Sequence, residues 1–274
     1  MSLWQRLTPL YDKGEAQAIV RLVLEQRFGM SLADILCGAV DRLSATEQET
    51  LESIMQRLER AEPVQYVLGS CLFCGRPFHV EPGVLIPRPE TEELVRWVAD
   101  DIAGSRQRIL DIGTGSGCIA ISIALQLADA DVEAWDISDD ALRVAAHNAR
   151  QLGAHVRFAR HDILSPFTSG ESPFDIIVSN PPYICDKEKS DMDRNVLEYE
   201  PDGALFVPDD NPLLFYDAIA HFAMESLEND GLLYFEINPL YADALKHNLL
   251  SLGFRKVTVR EDAFGKQRMI KAEK

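Results

Sequence analysis

Basic residues are scarce in this chain. Its 274 residues carry 27 Lys and Arg against 44 Asp and Glu, a formal net charge of -17. Holding nucleic acid over a broad face needs clustered cations. The charge balance argues against such a face, while leaving room for a local basic patch. Cysteine is sparse too: Cys37, Cys71, Cys74, Cys118 and Cys185 are odd in number and widely scattered. They fit reduced thiols in a cytoplasm better than a disulfide framework. Cys71-x-x-Cys74 is the one suggestive pair. Zinc needs two further ligands, and neither a second CxxC nor an HxxxH occurs, so no metal is expected. The segment Met1-Ser-Leu-Trp-Gln-Arg-Leu7 runs quickly into charge, so neither a signal peptide nor a membrane-spanning stretch is expected. Internal repeats and low-complexity tracts are absent.

What is present reads as a globular chain long enough for one domain of moderate size and a smaller one. Residues 1–62 read as helices. Ala18, Ile19, Leu22, Val23 and Phe28 follow helical spacing, as do Leu51, Ile54, Met55 and Leu58. Ser44-Ala-Thr-Glu47 has capping-box form, and Gly29 and Gly38 read as terminators. This part carries little of the acidity, since residues 1–85 hold 8 basic against 11 acidic residues. Residues 63–85, with Val64, Tyr66, Val67, Phe73, Phe78 and Val80 broken by Gly69 and Gly75, are expected to form a β-hairpin linker. Pro87 and Pro89 then stiffen the chain ahead of an acidic helix start.

Residues 86–274 alternate strand and helix. Strands are expected at Arg108–Asp111, Val132–Asp136, Val156–Arg160, Phe174–Ser179 and Leu232–Glu236, with a final pair over Phe254–Arg260 and Lys266–Lys271. Helices are expected from near Gly117, Ser138, Pro212 and Pro239. The pattern implies an α/β fold: a Rossmann-like, mostly parallel seven-stranded sheet covered on both faces.

Two loops at strand ends carry the chemistry, and strand carboxyl ends are where open α/β sheets build ligand crevices. The first is Asp111-Ile-Gly113-Thr114-Gly115-Ser116-Gly117. Its glycines let backbone approach a ligand closely, and the following helix offers free N–H groups. A dinucleotide fingerprint would need Gly or Ala where Cys118 stands, so an adenosyl-type ligand fits better. Asp111 would meet its cationic amino group, directly or through water. Asp136 closes the second strand, where an acid accepts from both ribose hydroxyls. Asp162 would meet the adenine amino group, and Ile163 would lie against its ring. Taken singly, the loop reads equally as tight strand-to-helix packing, Asp136 as a cap with Ser138 and Asp162 as a loop acid. Their joint occurrence after three successive strands favours the ligand reading.

The second loop is Asn180-Pro181-Pro182-Tyr183 behind the apolar run Phe174–Ser179. An amide or ring-conjugated nitrogen is a poor nucleophile because its lone pair is delocalised. The Asn180 side-chain oxygen and the Pro181 carbonyl can each accept one of its two N–H hydrogens in plane. That leaves the lone pair facing a sulfonium methyl. Tyr183 would pack on the flat group, and the two prolines would keep the loop rigid. No general base is required. The bland reading is a turn capped by Asn and broken by proline. His147, His155, His161, His221 and His247 are read as surface or packing residues. Asp186–Arg194 reads as a solvated loop, and its place after Tyr183 also makes it a candidate lid or partner contact.

Ile86-Pro-Arg-Pro-Glu-Thr-Glu92, Asp111–Gly117 and Ser179-Asn-Pro-Pro-Tyr183 together resemble the HemK/PrmC family over essentially the whole chain. Those are S-adenosylmethionine-dependent, class I methyltransferases that modify the glutamine of the Gly-Gly-Gln motif in class-1 peptide chain release factors at N5. The resemblance implies S-adenosylmethionine bound by Gly113–Gly117, Asp136 and Asn180, with Ile163 lining the adenine pocket. It also implies a substrate glutamine held by Asn180 to Tyr183, Arg88 to Thr91 near this site, and a helical domain that grips the release factor. It implies a cytoplasmic enzyme with no stable nucleic-acid or membrane partner. An adenine-N6 methyltransferase on DNA or RNA shares the Asn180 loop and is the alternative. A non-catalytic factor-binding protein is a third reading, against which the intact glycine loop and Asn180 argue.

Overall fold

The structure, a computed structural model, describes residues 2–102, 107–166 and 173–274. It divides into two compact units, Met1–Ser70 with Asp193–Tyr199, and Cys71–Met192 with Glu200–Lys274.

The first unit is helical for the reasons its sequence supplies. The helix Lys13–Phe28 opens at Asp12, whose side chain accepts from the Glu15 N–H, and closes at Gly29 with φ 65°. The helix Ala45–Leu58 opens on the expected capping box: Glu47 N–H donates to Ser44 Oγ, and Ser44 N–H donates to Glu47 Oε2. Val20, Val23 and Leu24 of the first helix share a core with Leu51, Met55 and Leu58 of the other. Arg6 ties this unit together at its surface, reaching Glu52 at 2.7 Å and Glu59 at 2.6 Å. The short helix Arg194–Tyr199, far along the chain, also belongs here, and Tyr199 OH donates to the Arg60 carbonyl at 2.8 Å.

The segment expected to be a hairpin from residue 63 begins instead as the helix Val64–Leu68. Pro63 precedes it and Gly69 follows with φ 71°, the usual signals for a helix start and stop. Tyr66 and Val67 are buried neighbours in that helix rather than alternating strand residues. The hairpin itself is shorter, Ser70–Phe73 with Arg76–His79. Its two-residue turn has both Cys74 and Gly75 at positive φ, the geometry whose twist matches that of paired strands.

The second unit is built on seven strands: β1 Arg108–Ile112, β2 Asp131–Asp136, β3 Val156–Arg160, β4 Phe174–Ser179, β5 Leu227–Glu236, β6 Lys256–Glu261 and β7 Gln267–Glu273. Their order is β6-β7-β5-β4-β1-β2-β3, and β7 alone runs opposite to the other six. Successive side chains alternate between two cores. Leu110, Ile177, Leu233 and Phe235 pack with the helices Leu214–Ser226 and Ala242–Leu252. Ile109, Ile176, Val178 and Tyr234 pack with the helices Pro89–Asp101 and Cys118–Gln126. A sheet buried on both faces explains the apolar runs of its central strands, Ile176–Val178 in β4 and Leu232–Phe235 in β5.

Register then sets the site. Ile112 is level with Trp135 of β2 and Ser179 of β4, and Ser179 is level with Phe235 of β5. The loops leaving four adjacent strand ends therefore emerge side by side. Ser179 Oγ donates to the Ile112 carbonyl at 2.6 Å, fastening two of them directly.

Candidate active site

A cleft of about 440 Å³ opens at these strand ends. That volume is within the roughly 300–1,000 Å³ usual for small-molecule sites. The loop after β1 forms its floor. Gly113 and Gly115 have φ of 74° and 54°, and a Cβ on either would meet no atom within 4 Å. Both line the cleft, so their missing side chains leave room for a ligand. Gly113 N–H and Thr114 N–H both donate to the Trp135 carbonyl, holding the loop against β2. Thr114 and Ser116 also line the cleft.

Asp136 stands at the end of β2 and accepts from the Gly115 N–H and the Ser138 N–H, both at 2.9 Å. Each bond engages a different oxygen, leaving a lone pair on each for a vicinal diol. Burial raises its pKa, and the backbone N–H groups of Ser138, Gly115 and Ile137 partly offset that. Ile137, Ile163 and Leu164 supply apolar surface on the same side of the cleft. Asp162 lines it as well, holding the Leu164 N–H on Oδ1 and the Ser165 hydroxyl on Oδ2. His161, read from sequence as surface or packing, does both jobs: it stacks on Trp135 at 4.1 Å and lines the cleft.

The loop after β4 forms the opposite wall, with Asn180, Pro181 and Pro182 exposed to the cleft. Asn180 Nδ2 donates to Thr91 Oγ1 at 3.3 Å, and the Thr91 hydroxyl donates to Glu236 Oε2 at 2.6 Å. Tyr183 OH donates to the other oxygen, Glu236 Oε1, at 3.0 Å. Burial pushes the Tyr183 phenol up, and Glu236 adds to the shift, so it remains a donor. The Tyr183 N–H reaches the Leu205 carbonyl, and its own carbonyl accepts from Asn238 Nδ2. Asn238 also holds Glu188, which receives the Cys185 N–H. The run expected to be a solvated loop is thus a 3-10 turn, Asp186–Asp191, pinned through Glu188.

The Pro-Arg-Pro segment is anchored residue by residue. Arg88 bridges to buried Glu200 at 2.5 Å, and Glu200 also accepts the Ile86 N–H. Thr91 reaches Glu236, Glu92 accepts the Cys74 N–H, and Glu93 accepts the Ala263 N–H. Arg88 and Thr91 both face the cleft.

Three expected site residues sit elsewhere than anticipated. Asp111 is fully buried beneath the loop rather than on the cleft wall, where its Oδ2 receives the Thr114 hydroxyl and the Ala120 N–H. Its Oδ1 has no partner, and burial raises the carboxyl to about 7. Gly117 is also off the wall. A Cβ there would come within 2.7 Å of Ile121 Cδ1 and 3.0 Å of Ala145 Cβ, so packing demands the glycine. Tyr183 lies behind the loop, half-buried against the sheet core, and braces it instead of lining the cleft. Sequence reasoning missed Glu236 and Ile137. A carboxylate ending the apolar run Leu232–Phe235 and an apolar residue directly after Asp136 were the available signals.

These residues fit S-adenosylmethionine. Gly113 and Gly115 leave a cradle, Asp136 offers acceptors for ribose, and Ile137, Ile163 and Leu164 offer a flat apolar slot. The orphaned buried Asp111 oxygen favours a cation above the loop. Among the described residues no group of three His, Cys, Asp or Glu side chains is arranged to hold a metal, and no helix is long and apolar enough to cross a membrane.

The chain is similar to known methyltransferases. The family described as Methyltransferase small domain matches residues 90–199, and the one described as PrmC N-terminal domain matches residues 5–69. A Release factor glutamine methyltransferase of Bacteroides thetaiotaomicron is 47% identical over 98% of this chain and 97% of its own. One from Flavobacterium psychrophilum is 41% identical over 97% of this chain and 95% of its own. A solved methyltransferase from Pyrococcus furiosus matches with a TM-score of 0.53 at 17% identity, covering 73% of this chain and 89% of that one. At that identity the likeness shows the fold alone.

Proposed function

The chain belongs to the release factor glutamine methyltransferases, and on that premise we propose that its Asn180 loop presents the side-chain amide of a release-factor glutamine for methylation at N5. The enzyme is S-adenosylmethionine-dependent, and the cofactor supplies an electrophilic methyl on its sulfonium when bound. The chain's own residues bind, orient and shield. Gly113–Gly115 would cradle the cofactor, Asp136 would accept from its ribose, and Ile137, Ile163 and Leu164 would lie against its adenine, with Asp162 lining the same cleft.

The observation that carries the reading is the orientation of Asn180. Its Nδ2 is committed to Thr91, which leaves Oδ1 free to accept from an incoming N–H. The Pro181 carbonyl accepts the second N–H, and Pro182 with Tyr183 keeps the loop from yielding. Two in-plane acceptors hold the amide so that its out-of-plane density faces the cofactor. Each such bond in a water-poor site contributes about 1–3 kcal/mol. Methylation leaves one N–H on the product nitrogen, and the proton released at transfer passes to solvent. The substrate is a class-1 release factor bearing the Gly-Gly-Gln motif, and the cytoplasm, where translation ends, is the place of action.

An adenine-N6 activity would use the same acceptors. The net charge of -17 and the full-length similarity to release factor enzymes weigh against it, as they do against stable nucleic-acid or membrane partners. The test is tandem mass spectrometry of a release factor incubated with the protein and S-adenosylmethionine, beside an adenine-containing duplex. One methyl on the Gly-Gly-Gln peptide and none on the duplex is expected. Methyl on the duplex alone overturns the reading.

A further inference from the structure

Glu236 neither lines the cleft nor bonds to Asn180, yet it holds the hydroxyl of Thr91, to which Asn180 donates. It ends β5, is 1% exposed, and receives two hydroxyl donors, Thr91 on Oε2 and Tyr183 on Oε1. A hydroxyl has one hydrogen to give. Thr91 gives its hydrogen to Glu236, so its oxygen can only accept from Asn180. The Asn180 amide must therefore turn its NH2 to Thr91 and its carbonyl to the cleft. If Glu236 offered a hydrogen instead, Thr91 could donate to Asn180 Oδ1, and the amide would flip to show the substrate a donor where an acceptor is needed.

We propose that Glu236 is a positioning residue that, through the Thr91 hydroxyl, sets the donor–acceptor polarity of Asn180 toward the substrate amide, while its second oxygen braces Tyr183. The proposal rests on the reading of Asn180 given above. Register supports it: Ser179 is level with Phe235, which sets Glu236 beside Asn180, and Thr91 enters from the first turn of the helix Pro89–Asp101. The groups around Glu236 divide in sign. Arg268 favours its carboxylate and Glu90 opposes it, while burial raises its pKa. The two hydroxyl donors favour the charged form, which is the form the relay needs.

The experiment compares wild type with Thr91→Val, Thr91→Ser, Glu236→Gln and Asn180→Ala. It measures kcat and KM for a release factor, and S-adenosylmethionine affinity by calorimetry. Valine matches threonine in shape and lacks only the hydroxyl, so folding is kept, which circular dichroism checks. Thr91→Val should lower kcat about tenfold or more with KM and cofactor affinity within about threefold. Thr91→Ser, which keeps the hydroxyl, should restore kcat to within about threefold of wild type. Glu236→Gln, whose NH2 turned to Thr91 would free the hydroxyl hydrogen for Asn180 Oδ1, should lower kcat as Thr91→Val does, and a Thr91→Val/Glu236→Gln double variant made alongside them should lose little more than either single one. Full kcat in Thr91→Val while Asn180→Ala is inactive overturns the relay and leaves the Asn180 reading standing. Equal losses in Thr91→Val and Thr91→Ser also overturn it, since packing alone would then explain both. Full activity in Asn180→Ala removes the underlying reading itself.

Discussion

The Gly115 backbone N–H donates to the Asp136 carboxylate over 2.9 Å, joining the loop after β1 to the end of β2. One acid thus shapes the glycine loop, and on the proposed reading it would also accept from the cofactor ribose. The bond ties the ends of two strands into one stretch of the cleft lining.

Asp136→Ala removes both the ribose acceptors and the loop tie. S-adenosylmethionine affinity should fall about 10- to 100-fold, or about 1.4–2.8 kcal/mol. Calorimetric titration measures it directly. Unchanged affinity would take Asp136 out of the ribose role.

The glycines of the same loop should separate by phenotype. Gly117→Ala forces a Cβ into Ile121 and Ala145 at φ 82° and should destabilise the fold by about 1–3 kcal/mol in urea denaturation. Gly113→Ala and Gly115→Ala meet no protein atom, and their added methyl points into ligand space. They should cost about 1 kcal/mol of strain but reduce cofactor affinity about tenfold or more. The reverse pattern would show that Gly117, not its neighbours, faces the ligand.

Asp111 makes a pH prediction with a definite sign. Its folded carboxyl titrates at about 7 against an ordinary value of 3.8, burial being the main cause. The folded state thus holds a proton that the unfolded state has released, and stability falls as pH rises from about 4 to about 7. Asp111→Asn should flatten the slope of melting temperature against pH in that window for the cofactor-free protein. Cofactor binding should release a proton near pH 7, seen as a buffer-dependent calorimetric enthalpy. A slope unchanged in Asp111→Asn would place the proton elsewhere.

Much of this arrangement was legible from residues alone. Val156–Arg160 and Phe174–Ser179 form the expected strands, and Ser138 caps the helix expected to start near it. These features are local, fixed by side-chain periodicity and caps. Val64–Leu68 was harder, because Val and Tyr favour strands while Pro63 and Gly69 frame a helix. Glu236 was out of reach for a different reason. Its partners Thr91 and Tyr183 lie 145 and 53 residues away; the pairing of β4 with β5 brings Tyr183 to it, and the helix Pro89–Asp101 brings Thr91. Asp111 and Gly117 belong to the right loop, yet which of its residues face the ligand and which face the protein depends on backbone turns that spacing does not encode.

The central claim is that Asn180 presents an acceptor to the substrate amide. The direct measurement is the single-turnover rate of methyl transfer to a release factor by Asn180→Ala, with S-adenosylmethionine affinity measured on the same preparation. A rate lower by about 10²–10³-fold is expected, with cofactor binding still measurable. A rate equal to that of the wild type would contradict the claim.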